Sequence, residues 1–212
     1  MAKYLTEAIG TFFLVLTIGL TVLSGYDGAP LAIGSVLMVM VYMGGHVSGA
    51  HYNPAVSFAV MLRGKLSPRD FAPYLIAQFL GAILASLVVI WIKREPFAIA
   101  PGKGVAIAHA LLIEVLYTFA LALVVLNVAT SAKTANNSFY GLAIGFTVAA
   151  AAFAAGGISG GAFNPAVGIG VNLVHYMQHG RDALSHTWIY LAGPLIGGAL
   201  AAGVFRLQEG QP

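Results

Sequence analysis

The chain contains no cysteine, which removes disulfide frameworks, thiolate metal sites and thiol nucleophiles and leaves nothing for a mercurial reagent to block. Charge is the second scarcity: Lys and Arg number 10 and Asp and Glu 7 in 212 residues, or 8%, against about 25% in an average soluble domain. A net charge of +3 spread this thinly cannot form the basic face that nucleic acid requires, so no nucleic-acid partner is expected. No paired carboxylates, phosphate-binding loop or Ser/His/Asp set converges, so the chain does not read as an enzyme, and neither a cofactor nor a metal is expected. What fills the sequence instead is apolar: 59% of residues are hydrophobic and 26 are Gly, the composition of Gly-tolerant membrane helices. The expectation is a multi-pass protein of a cell (inner) membrane.

The remaining charges punctuate that apolar sequence, and the gaps between them compare directly with the ~20 residues that cross ~30 Å of hydrocarbon. Glu7 to Asp27, Asp70 to Lys93, Glu114 to Lys133 and Asp182 to Arg206 each enclose one helix's worth of chain. Asp27 to Arg63 and Lys133 to Arg181 are too long for one ordinary span and too short for two with a polar connection. Spans are expected at about 4–25, 30–48, 70–92, 105–127, 138–156 and 186–206. The start, Met1-Ala2-Lys3-Tyr4, runs into an apolar stretch that holds Glu7 and has no small-residue cleavage site beyond it, so the first span reads as retained. With a cytoplasmic N-terminus, Lys3, Arg63, Lys65, Arg69, Lys133 and Arg206 lie inside, against Lys93, Arg94, Lys103 and Arg181 outside, a weak positive-inside bias.

Both long gaps carry the same interruption. Ser48-Gly49-Ala50-His51-Tyr52-Asn53-Pro54-Ala55-Val56 and Ser159-Gly160-Gly161-Ala162-Phe163-Asn164-Pro165-Ala166-Val167 lie 111 residues apart. Glu7, Thr11 and Phe12 match Glu114, Thr118 and Phe119 at an offset of 107, and Tyr74, Gly81, Leu84 and Ala85 match Tyr190, Gly197, Leu200 and Ala201 at 116. The order is span, span, interruption, span, twice, within a single transmembrane domain with halves at about 1–104 and 105–212. An odd number of crossings per half sets the second half upside down, an inverted-topology repeat.

Asn is a good N-cap and Pro is favoured at the first helical position, so each Asn-Pro-Ala reads as the start of a short helix at membrane depth. Irregular backbone survives there only when it is buried in protein or lines a watery passage, so the two interruptions should face each other across a central path. Inverted symmetry brings both helix N-termini to the midplane, each with a partial positive charge of roughly half a unit. Such a site repels cations, and the amides of Asn53 and Asn164 are donors for the oxygen of a passing water or hydroxyl.

One Asn-Pro-Ala occurs by chance in many turns; two with matching flanks on two halves of a repeat are specific. With Glu7-Ala8-Ile9-Gly10-Thr11-Phe12, His46-Val47 ahead of the first interruption, and Gly193-Pro194-Leu195-Ile196-Gly197, the chain resembles the aquaporin and glycerol-facilitator family (major intrinsic proteins) from about Tyr4 to Phe205. The resemblance implies an all-α membrane protein with six transmembrane helices and two re-entrant half-helices in an inverted repeat. It implies one pore per subunit, a homotetramer, and Asn53, Pro54, Ala55, Asn164, Pro165 and Ala166 as the pore motifs. It also implies an outer constriction of four side chains, which by position fall on Ile33, Ala152, Gly161 and Val167. Water-selective members usually place an aromatic, a His and an Arg there, and glycerol facilitators usually keep the Arg. Here Val167 stands in place of the Arg and no His is present. Gly168 follows where glycerol facilitators typically carry Asp, and Tyr190-Leu191 ahead of Gly193-Pro194 mixes the two types, so the markers do not agree on a subfamily.

Ile, Ala, Gly and Val form a broad apolar ring with no fixed cation and no charged donor. The expected solutes are water and small uncharged molecules: glycerol-sized alcohols, hydrogen peroxide, ammonia or dissolved gases. An apolar ring can also dewet and slow water. Alternatives are an ion-leaky pore, motivated by the missing Arg; a coupled transporter, which shares inverted repeats and broken helices; and a membrane scaffold that conducts nothing.

Other polar residues read mainly as structural. Glu7 and Glu114 sit at matching places within spans and are expected to accept hydrogen bonds from the irregular backbone before each half-helix, with a proton relay as the rival role. His51, two residues before Asn53, is expected to touch the vestibule or pore, and His46 to make structural hydrogen bonds. His175 and His179 have i, i+4 spacing with His186 beyond, but a loop reading is preferred to a metal site. Gly141 with Gly145, and Gly193 with Gly197, read as helix packing. Asn136-Asn137-Ser138 reads as a turn and helix cap rather than a glycosylation site. The partners expected are therefore the solutes themselves and membrane lipid.

Overall fold

A computed structural model describes residues 1–179 and 184–210. Six long helices, α1 (Ala2–Val22), α2 (Ala29–Ser48), α4 (Pro68–Lys93), α5 (Ile107–Val125), α6 (Tyr140–Ser159) and α8 (Ile189–Glu209), enclose two shorter ones, α3 (Pro54–Leu62) and α7 (Pro165–His179). All six are long and apolar enough to span a bilayer, α5 once its continuation through the wide π turn Leu126–Thr130 is counted. Their ends lie within a few residues of those expected from the charges. Arg181 and Asp182, which helped to set those limits, fall outside the described residues.

Local chemistry fixes the boundaries. Ser67 caps α4 by accepting from the Arg69 backbone N–H, with Pro68 at the first helical position. Pro30 occupies the first turn of α2. α2 and α6 both end on a glycine in the left-handed conformation, Gly49 (φ 85°) and Gly160 (φ 88°), which turns the chain back toward the centre. Before α6, Asn136 is left-handed and the Asn137 amide donates to the carbonyls of Val128 and Thr134, both at 2.7 Å, so Asn136-Asn137-Ser138 forms a pinned turn.

The helices pair as α1 with α4, α5 with α8 and α2 with α6. Glycine lets the backbones touch: a Cβ on Gly81 would stand 2.3 Å from the Ala8 carbonyl oxygen, and one on the matching Gly197 2.5 Å from that of Val115. Gly34 and Gly145 meet reciprocally, each facing the other's carbonyl oxygen. Gly81→Val and Gly197→Val are therefore expected to cost about 1–3 kcal/mol or more each by overpacking. Thermal unfolding in detergent checks this, with Gly203→Ala, where a Cβ meets nothing within 4 Å, leaving the midpoint unchanged or slightly raised. The outer surface is apolar: Ile76, Leu80, Leu84, Trp91, Leu112, Phe153 and Leu200 are all exposed, the surface a lipid-facing bundle requires.

Candidate functional site

The site is built where the two short helices meet end to end. Asn53 has extended backbone, and its Oδ1 accepts from the N–H groups of Ala55 at 2.9 Å and Val56 at 3.4 Å. Asn164 does the same for Ala166 at 2.9 Å and Val167 at 3.5 Å. Each carboxamide oxygen thus satisfies the open N-terminus of its own helix. Each amide nitrogen crosses to the other half: Asn53 Nδ2 donates to the Phe163 carbonyl and Asn164 Nδ2 to the Tyr52 carbonyl, both at 2.8 Å. A carboxamide nitrogen carries two protons. One is spent on this cross-bond, which leaves one per Asn for any passing molecule, half the donor capacity that the side chains alone offer.

Two buried carboxylates hold the irregular backbone leading to those asparagines. Glu7 Oε1 accepts from Ser48 Oγ at 2.7 Å and the His51 N–H at 2.9 Å, and its Oε2 accepts from the Tyr52 N–H at 2.7 Å and Gln78 Nε2 at 2.8 Å. Glu114 Oε1 accepts from Ser159 Oγ at 2.7 Å and the Ala162 N–H at 3.1 Å, and its Oε2 from the Phe163 N–H at 2.7 Å. Both side chains are fully buried. The tyrosines matched in the sequence repeat complete each cradle: Tyr74 donates to the Ser48 carbonyl at 2.7 Å and Tyr190 to that of Ser159 at 2.5 Å. Aiming these N–H groups at one carboxylate forces Tyr52 (φ 49°) and Phe163 (φ 48°) into the left-handed region that bulky residues rarely adopt.

Around this junction lies a cavity of about 290 Å³. Asn53 and Asn164 line it, and so do Ile33 from α2, Ala152 from α6, Gly161 from the turn after α6 and Val167 from α7. Most other lining groups are apolar, among them Leu14, Ile18, Leu37 and Val148. A second cavity of about 320 Å³ is bordered by Ser48, Lys65, Tyr74 and Thr130. His51 lines both and so stands between them. Its Nδ1 lies 3.1 Å from Ser57 Oγ, and Ser57 in turn accepts from Gln78 at 2.9 Å, which links the lumen to Glu7 through buried side chains. The carbonyls of Ala50, His51, Gly161 and Ala162 accept no hydrogen bond among the described residues, and these residues border the main cavity. Buried carbonyls of this kind need a partner from the lumen.

His46 is exposed on the last turn of α2 and borders neither cavity. His175 lies on α7, but the side chain of His179 falls outside the described residues, and no group of three or more metal-ligating side chains occurs among the described residues. Sequence reasoning missed Gln78, which links α4 to Glu7, and Asn172, whose buried side chain bonds the segment between α4 and α5. A polar side chain inside an apolar helix was the available signal for both.

This combination of six spanning helices, two half-helices meeting at their asparagine caps, and a cavity lined by both asparagines is the architecture of a membrane channel. The chain belongs to the major intrinsic protein family, whose model matches residues 1–205. Members are passive membrane channels for water and small solutes, not enzymes, and this chain is a multi-pass membrane protein of that kind. It is 37% identical to a glycerol uptake facilitator protein-like 6 of Lactiplantibacillus plantarum, over 98% of both chains. It is 34% identical to a probable NIP-type aquaporin of Nicotiana alata, over 98% of this chain and 77% of the other. Its fold is similar to that of the aquaglyceroporin from Plasmodium falciparum, with a TM-score of 0.86 at 20% identity, covering 96% of this chain and 94% of that one.

Proposed function

We propose that the chain conducts water and small uncharged solutes of glycerol size, with Ile33, Ala152, Gly161 and Val167 as its outer filter. The observation that carries this reading is the lining of the main cavity: apolar side chains on most of its wall, with Asn53, Asn164 and the free backbone carbonyls as the polar stripe. A polyol presents hydroxyls on one side and carbon on the other, and it matches such a wall on both counts. Hydrogen peroxide, ammonia and dissolved gases fit the same uncharged ring. Two helix N-termini facing the lumen oppose cations even without a filter Arg. The similarity to a glycerol uptake facilitator-like protein supports the same solute class.

In this reading Asn53-Pro54-Ala55 and Asn164-Pro165-Ala166 orient solutes, His51 borders the inner vestibule, and Glu7 and Glu114 are scaffold. The chain works as one domain of two halves, about 1–104 and 105–212, in a homotetramer within the cell (inner) membrane, solvated by lipid. Uptake of labelled glycerol by proteoliposomes tests the class. The expected result is a rate linear in concentration with no accumulation above the outside level and no membrane current. Saturation with gradient-driven accumulation identifies a coupled transporter instead, and single-channel current an ion-leaky pore.

A further inference from the structure

The linker between α4 and α5 borders the main cavity as a strap, and four contacts tie it down. The buried Phe97 ring lies against Gly19, where a Cβ would stand 2.7 Å from its edge. Ile99 is held on both backbone groups by Asn172: its N–H donates to Oδ1 at 2.8 Å and its carbonyl accepts from Nδ2 at 2.9 Å. Ala100 backbone packs on Gly160, and the Gly102 N–H donates to the Ile158 carbonyl at 3.0 Å. Buried Phe97 and Ile99 alternate with exposed Ala98 and Ala100, and both alanines, with Ile99 between them, line the cavity alongside Gly160 and Gly161.

Asn172 is out of place by any local criterion. Asn is a poor residue in a helix interior, and this one is 1% exposed on the apolar helix α7. Its hydrogen bonds leave the helix: besides Ile99, Nδ2 donates to Thr187 Oγ1 at 3.1 Å. Both amide protons and the carboxamide oxygen are engaged, so the side chain is fully satisfied where it sits. It also has no repeat partner. The glutamates, serines, tyrosines and cap asparagines all occur twice, whereas the residue 111 positions before Asn172 is Met61. Scaffold shared by both halves does not account for it.

We propose that Asn172 is a positioning residue for solute selection: it fixes the strap so that Ala98 and Ala100 form a wall of the outer mouth and limit the size of solute admitted. The proposal rests on the channel reading above. At Val167 there is no charged side chain to narrow the mouth, and the strap backbone, held at Ile99, supplies a rigid edge instead. Small side chains at Ala98 and Ala100 then leave the aperture wide enough for a polyol. Releasing Ile99 should widen the size limit, and enlarging Ala100 should narrow it.

The test compares wild type, Asn172→Ala and Ala100→Leu in proteoliposomes by stopped-flow light scattering, with water, glycerol and the four-carbon polyol erythritol as probes. For Asn172→Ala the expected result is an erythritol-to-water permeability ratio raised about threefold or more, with water permeability within about twofold. Hydrogen exchange of the 97–102 segment should accelerate in the same variant. For Ala100→Leu, an exposed position where folding is not at stake, glycerol permeability should fall about fivefold or more with water little changed. Unchanged ratios in Ala100→Leu, or in a folded Asn172→Ala with a faster-exchanging strap, overturn the proposal while leaving the channel reading intact. A wild type that passes neither water nor glycerol overturns both.

Discussion

Glu7→Ala is expected to destabilise the protein strongly rather than to alter its conduction selectively. The substitution strands four donors on buried residues, Ser48 Oγ, the N–H groups of His51 and Tyr52, and Gln78 Nε2. Each unpaired buried donor costs about 1–3 kcal/mol, so the loss runs to several kcal/mol, a large part of ordinary domain stability. Tyr52 has a further dependence, because the acceptor for its N–H helps to hold its left-handed backbone. Glu114→Ala strands three donors and should cost less. Thermal unfolding in detergent should therefore rank the midpoints as wild type, Glu114→Ala, then Glu7→Ala. Glu7→Gln keeps one accepting oxygen but points an NH₂ group at other donors, and it should fall between wild type and Glu7→Ala. A Glu7→Ala protein as stable as wild type would contradict the cradle.

Val167→Arg carries the largest expected change in selectivity. Val167 is buried in the first turn of α7 and lines the cavity with Ile33, Ala152 and Gly161. A guanidinium there adds bulk, a fixed positive charge and several donors to a ring that has none. Glycerol permeability should drop about tenfold or more, because the ring loses width, while water permeability stays within about threefold. Val167→Leu separates width from charge: it narrows without adding a cation, so it should reduce glycerol flux less and leave ion exclusion unchanged. Equal glycerol flux in wild type and Val167→Arg would place the solute filter elsewhere.

Much of this architecture was legible before any coordinates. Charge spacing located the six spans because a charge inside hydrocarbon is costly enough to be rare, and the observed helices α1, α2, α4, α5, α6 and α8 start and end within a few residues of those limits. The doubled Asn-Pro-Ala located the two short helices, since Asn as cap and Pro at the first position form a local signal that needs no tertiary context. Repeat matching also drew attention to Tyr74 and Tyr190 without showing what they do. Their hydroxyls bond the Ser48 and Ser159 carbonyls, contacts between α4 or α8 and distant chain that spacing alone cannot reveal.

What stayed hidden has a common cause. Gln78 and Asn172 act singly: the residue matching Gln78 at the 116 offset is Pro194, and the one matching Asn172 is Met61. Reasoning from the repeat passes over both. The strap 97–102 has no spanning length, charge pattern or motif, and it gains its place only from contacts to Gly19, Gly160 and Asn172. The asparagine amides were visible as donors, but the loss of one proton each to the opposite half's carbonyl depends on the two half-helices meeting within hydrogen-bond distance, which is a property of the assembled fold.

A wide apolar mouth above two helix-capping asparagines should admit small polyols together with water. Stopped-flow light scattering on one batch of proteoliposomes tests it most directly, with a shock of impermeant osmolyte to read water and a shock of glycerol to read both. Rapid shrinkage is expected under each, followed under glycerol by reswelling much faster than in protein-free vesicles. Rapid shrinkage with reswelling no faster than in empty vesicles would show a water-only pore and contradict it.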